Sequence, residues 1–217
     1  MLITRYAKIV MALGLAVFCL LVAFDNITDY GTNFLFVKHV LSMDTTYPGN
    51  ALMYRSITSP ALWTLCYWLI IAGEAIAGIL LLAGTIRLWQ VRLAPGAVFN
   101  AAKGLVVAGV LAAFLVWFVG FMVVAGEWFA MWQSATWNGQ EPAFRFYVTA
   151  LAVLIFVNQP DGDLAAPAEP AQPSADTPAA KAKAAPAKKA VKKAPPAKKR
   201  APARRRSDKG RRSTDTA

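Results

Sequence analysis

The 217 residues are 57% hydrophobic yet carry a formal net charge of +11, a pairing that suits no ordinary soluble domain. Through Val157 there are 8 Lys and Arg against 6 Asp and Glu, a net of +2, whereas the rest of the chain holds 15 basic and 6 acidic residues, a net of +9. The first part falls far below the roughly one quarter of charged residues usual in soluble domains, which excludes a water-soluble enzyme of common composition.

The first apolar run, Ile9 to Phe24, is uncharged and follows Arg5 and Lys8. A basic start before an apolar run also describes a signal peptide, but the run ends in Phe24-Asp25-Asn26 with no small-x-small cleavage site. It is therefore read as a retained membrane span over about 7–24. Sixteen residues reach only ~24 Å against a ~30 Å hydrocarbon core, so Tyr6 and Lys8 are expected to snorkel.

Asp25, Asn26, Asp29, Tyr30 and Asn33 follow, of which Asp and Asn suit turns and helix caps. Phe36, Val40 and Met43 then recur at i, i+4 and i+7, with Phe34, Val37 and Leu41 on adjacent rows. This predicts a short amphipathic helix lying along the outer membrane interface. The polar head of this segment, with His39 and Asp44 behind it, is a candidate site for a cation or a partner loop.

The second span, about 61–85, is interrupted only by Glu74. A carboxylate at mid-membrane costs at least ~2.5 kcal/mol, so Glu74 should face protein and be paired or protonated. Two roles stay open: a contact for a proton, an ion or a quinone headgroup, or an interhelical hydrogen bond that fixes packing. Gly73, Ala77 and Gly78 would let a neighbour approach, and Gly104, Ala108 and Ala112 in the third span, about 104–125, offer a matching flat stripe.

Between the third span and the fourth, about 143–157, lie Glu127, Trp128, Trp132, Gln133, Trp137, Asn138 and Glu141. The tryptophans fit an interfacial aromatic belt. Arg145, at the start of the fourth span, is expected to pair with Asp25, Asp29, Asp44 or Glu141 and so draw the two outer loops together.

Charge placement supports four spans. Arg5 and Lys8 precede the first, and Arg87, Arg92 and Lys103 fall between the second and third. The positive-inside rule puts both sets on the cytoplasmic face, and a fourth span returns the basic tail to that face.

Cys19 and Cys66 lie in apolar runs and read as small buried hydrophobes. His39 is the one histidine, so a bis-histidine haem or a zinc site cannot be built by a single copy; no metal or cofactor is expected.

Residues 159–217 form an Ala/Pro-rich linker and then a cationic arm carrying Lys188, Lys189, Lys192, Lys193, Lys198, Lys199, Arg200, Arg204, Arg205 and Arg206. Prolines and like charges leave no route to a packed core, so disorder is expected. The partner of such an arm is polyanionic. Anionic lipid headgroups are within reach, at about 1 kcal/mol per basic residue, and nucleic acid is the competing partner.

The arrangement resembles the predicted small integral membrane proteins grouped as domain of unknown function family 2165. The resemblance covers about residues 5–157. It rests on Asp25-Asn26, Asp29-Tyr30 with Asn33, Phe36-Val37, His39-Val40, Met43-Asp44, Glu74, Glu127-Trp128-Phe129-x-Met131-Trp132-Gln133-Ser134, Trp137-Asn138-Gly139-Gln140 and Phe144-Arg145. It implies a four-helix bacterial inner-membrane protein and supplies no activity; the basic tail lies outside the pattern.

The expected architecture is all-α: a four-transmembrane-helix bundle over 1–158, with a short interfacial helix in the first outer loop, both termini cytoplasmic and a disordered tail. No P-loop, Gly-x-Ser-x-Gly or His-rich motif occurs. The expected role is an accessory or interaction subunit, without a recognisable enzymatic motif, contacting membrane lipids and a membrane-protein partner or a second copy. A small proton-coupled transporter using Glu74 is the alternative. A membrane redox or quinone-interacting protein would need His39, Glu74 and Tyr or Trp residues in one pocket.

Overall fold

The computed structural model describes residues 1–164. Six α-helices follow in order: α1 Leu2–Thr28, α2 Tyr30–Ser42, α3 Pro60–Gln90, α4 Gly96–Ala101, α5 Gly104–Phe114 and α6 Gln140–Asn158. Past Phe114 the helix of α5 widens into π winding over Leu115–Trp128. Short 3-10 turns occupy Met53–Arg55 and Met131–Gln133. Among the described residues four helices are long and apolar enough to cross a membrane: Leu2–Thr28, Pro60–Gln90, Gly96–Trp128 and Gln140–Asn158.

Each span outruns its apolar core. α1 has 27 residues, about 40 Å at 1.5 Å per residue, so no shortfall needs to be made up by snorkelling. The polar stretch that looks like a turn remains helical to Thr28, whose hydroxyl donates back to the Phe24 carbonyl at 3.0 Å. Such i to i−4 bonds hold a hydroxyl residue inside a helix and bend it. Asp29 alone then breaks the winding, with φ −106° and ψ 49°, and α2 leaves at once. The Asp29 side chain makes no cap bond; the Asn33 side-chain amide donates to the Asp29 carbonyl at 3.3 Å.

The predicted amphipathic helix is α2. Its buried residues Val37, Val40 and Leu41, with Met43 just beyond, pack with Tyr67 and Ile71 of α3 and with Phe129, Ala130 and Met131. α3 starts where Pro60 occupies its first turn, a position where the missing N–H costs nothing.

Packing follows a repeat of 3.5 residues. In α3 the buried residues include Tyr67, Ile71, Glu74, Gly78, Leu81, Thr85 and Leu88, alternating four and three apart in the manner of a coiled-coil seam. Phe99, Lys103, Val106, Val110, Ala113 and Trp117 continue the same rhythm along the third span. Of the stripe expected at Gly104, Ala108 and Ala112, Gly104 is exposed, Ala108 is half-buried, and Ala112 is half-buried against the core. Gly104 has nothing within 4 Å of where a Cβ would stand, whereas a Cβ on Gly109 would lie 2.7 Å from Leu81 Cγ and 2.9 Å from the Leu81 nitrogen. On α3, Gly78 faces Leu20 of α1, and Gly84 faces Val106.

Residues 159–163 are bonded to the bundle, so packing continues past the end of α6 at Asn158. The cationic arm lies outside the described residues.

Candidate functional site

The seam of α3 carries the site. Glu74 stands two helical turns after Tyr67 on one face, and both are buried, Glu74 at 2% exposure. α1 supplies Asn26, whose Nδ2 donates to Glu74 Oε2 at 2.7 Å. The Tyr67 hydroxyl donates to the Asn26 carbonyl at 2.7 Å, with the Asn26 side-chain oxygen at 3.3 Å. Tyr30 packs its ring edge-on against Tyr67, centroids 4.9 Å apart. Glu74 thus faces protein and is hydrogen-bonded, and among the described residues no cation pairs with it.

This trio lies in the wall of a half-open cavity of about 230 Å³. Its other walls come from Phe36 and Val37 of α2, Trp117 and Phe121 of the π-wound segment, and Phe146 of α6, with Asn33 adding one more amide. π winding is rare and often found at functional sites; here it carries two of the cavity's rings. Gly139 closes the wall at a point where a Cβ would lie 2.9 Å from Phe36 Cζ and 3.1 Å from Phe121 Cδ1.

The remaining candidates of the two loops divide. His39 Nδ1 lies 2.9 Å from each Asp44 carboxylate oxygen, and its ring stacks on Trp137 at 4.8 Å. His39 is not in the cavity wall, so Glu74 and His39 belong to different environments. The loops do fold against each other, without Arg145: Thr45 and Ser134 share a hydroxyl bond of 2.8 Å, and Gln133 Oε1 accepts from the Tyr47 N–H at 3.1 Å. Trp132 meets Tyr47 edge to face, and Arg55 lies over Trp128. Asp25, Asp29, Glu127 and Asn138 are exposed. Arg145 pairs with Glu141 one turn before it on α6, both side chains at 70% or more exposure, and not with the first loop.

A second polar centre lies at the opposite end, among residues read from sequence only as orientation signals. Arg5, Lys8 and Lys103 are 0%, 1% and 3% exposed. Both lysines donate to Asp161 Oδ2 at 2.6 Å and to the Gln159 carbonyl at 2.6 and 2.7 Å, where the end of α6 presents negative carbonyls. Arg5 reaches the carbonyls of Arg92, Ala94 and Gly162 and lies over the Phe99 ring. Asn100 and Asp161 exchange two bonds, amide to carbonyl at 2.9 Å and backbone N–H to amide oxygen at 3.0 Å. Burial alone would raise the Asp161 carboxyl. The bonds and positive charges of Lys103 and Lys8 outweigh it and hold the group below the usual carboxylate range.

Sequence reasoning missed Tyr67 and this basic centre, although the seam spacing carried both: Tyr67 and Lys103 each occupy a position of the 3.5-residue repeat. Cys19 is buried and Cys66 half-buried, both free thiols. Among the described residues no three His, Cys, Asp or Glu side chains converge as metal ligands.

A family model described as "Predicted small integral membrane protein (DUF2165)" matches residues 4–160. No curated protein and no solved structure matches the chain.

Proposed function

The chain belongs to that family of predicted small integral membrane proteins, and from this premise we propose that it works by binding rather than by catalysis. The cavity around Glu74 receives a small molecule dissolved in the membrane, and the protein serves as an accessory subunit that holds this molecule for a larger assembly. One observation carries the reading: a hydrogen-bonded Glu74–Asn26–Tyr67 trio in the wall of an otherwise apolar, aromatic cavity, the composition expected of a small-molecule site. The proposed setting is a bacterial inner membrane with both termini cytoplasmic. Arg5, Lys8 and Lys103 meet at one end, as the positive-inside rule requires of that face.

The test is native mass spectrometry of the chain purified in mild detergent, beside Ala143→Leu, which fills the cavity wall. A bound small molecule on the wild type that is absent from the variant supports the reading. Its absence from both defeats it. Stable partner subunits in the same preparation would identify the assembly.

A second reading, proton-coupled carriage, is favoured by the carboxylate at Glu74 having no cation partner among the described residues. Proton flux into proteoliposomes that Glu74→Gln abolishes supports carriage; flux equal to that of empty vesicles rejects it.

A further inference from the structure

The cavity's chemistry narrows what it can hold. Glu74 Oε2 is satisfied by Asn26, but Oε1 has no hydrogen-bond partner among the described residues, and no Lys, Arg or His of those residues pairs with the carboxylate. The other polar groups of the wall, Asn26, Asn33 and Tyr67, are amides and a hydroxyl. The rest is aromatic or aliphatic, with rings from Phe36, Trp117, Phe121 and Phe146.

Aromatic faces carry negative quadrupole charge and attract weakly hydrated cations. The Glu74 carboxyl in the same wall can give up its proton to pair with a cation seated beside it, in a medium where screening is weak. A neutral hydrocarbon would satisfy the rings but leave Oε1 dry and unpartnered, which is costly. An anion would find no Lys, Arg or His in the cavity wall to pair with. A cation with an apolar body satisfies both parts of the wall at once. It can also reach the site through the lipid, and a volume of about 230 Å³ leaves room for one ring and a compact head.

We infer that the cavity binds a small lipophilic monocation, an amine or quaternary ammonium with a hydrocarbon or aromatic body, its charged head at Glu74 and its body against the rings. This inference rests on the ligand-binding reading above.

Two probes of nearly identical shape separate the claims: benzyltrimethylammonium and its neutral carbon isostere, neopentylbenzene. Binding is measured by equilibrium dialysis on the full chain in nanodiscs of zwitterionic lipid, corrected for partition into empty discs. The expected result is at least about tenfold tighter binding of the cation than of the isostere. Glu74→Gln should weaken the cation by about tenfold or more and leave the isostere unchanged, while Glu141→Gln, at an exposed carboxylate, changes neither. Equal binding of the two probes overturns the cation inference and leaves the cavity reading standing. Failure of both probes to bind overturns the two together. Should Glu74→Gln not fold, the comparison of probes on the wild type decides alone.

Discussion

Asp161 holds two buried lysines, and its removal isolates both. Taking away one partner of a buried ion pair costs about 3–5 kcal/mol, because the remaining charge is stranded. Asp161→Asn should therefore lower the melting temperature of the purified protein strongly. The same group gives a signed pH dependence. Its folded value lies below the ordinary carboxylate value, so its stabilisation is complete above the unfolded value of about 3.9 and is lost as pH falls through the lower folded value. Thermal melts should show a constant gap between wild type and Asp161→Asn from pH 7 to about 5, closing only in stronger acid; a gap that closes near pH 6 would contradict this. At the other centre, Tyr67→Phe removes a single neutral hydrogen bond and should cost about 1 kcal/mol. Asn26→Ala strips Glu74 of its donor and should cost more, about 1–3 kcal/mol, measured in the same melts. That Glu74 faces protein was legible from one acid within an apolar run. That Asn26 is its partner was not, because hydropathy ends the first span at Phe24 and the helix in fact continues one further turn to Thr28.

At the scale of elements, the helix contacts follow the 3.5-residue seam, and a glycine matters where another element comes close to it. Gly109→Ala should push α5 from α3, since the new methyl meets Leu81 backbone as well as side chain; overpacking of this kind costs about 1–3 kcal/mol. Gly104→Ala, with nothing near, should be neutral or stabilising by up to about 1 kcal/mol through helix propensity. Chemical denaturation in mixed micelles compares the two, and equal effects would reject the assigned contact face. The number of spans, the all-helical class and α2 could be read from hydrophobic runs and periodicity. The face of the third span could not be read from small residues alone, because the exposed Gly104 and the buried Val106, Gly109, Val110 and Ala113 interleave on one helix. The π winding after Phe114 left no mark in the hydropathy, since an apolar run satisfies either winding. Yet it decides where Trp117 and Phe121 stand.

For the whole molecule, charge separates by depth. The bundle's interior keeps charged or strongly polar groups at two levels, Glu74 with Asn26 under the loops and the Arg5–Lys8–Lys103–Asp161 centre at the far end. Chains cut after Leu164 and after Gln159 should therefore differ sharply. The first keeps Asp161 and should melt like the full protein, whereas the second exposes three cations to one another and should melt many degrees lower in the same detergent. The fastening of residues 159–163 also has a mechanical meaning. Residues 159–163 are tied simultaneously to α1 through Arg5 and Lys8, to the start of α4 through Gly96, and to the residue before α5 through Lys103. A load on this segment is shared by parallel bonds and enters three helices together, so residues 159–163 clamp the bundle and are not a loose extension of its last helix.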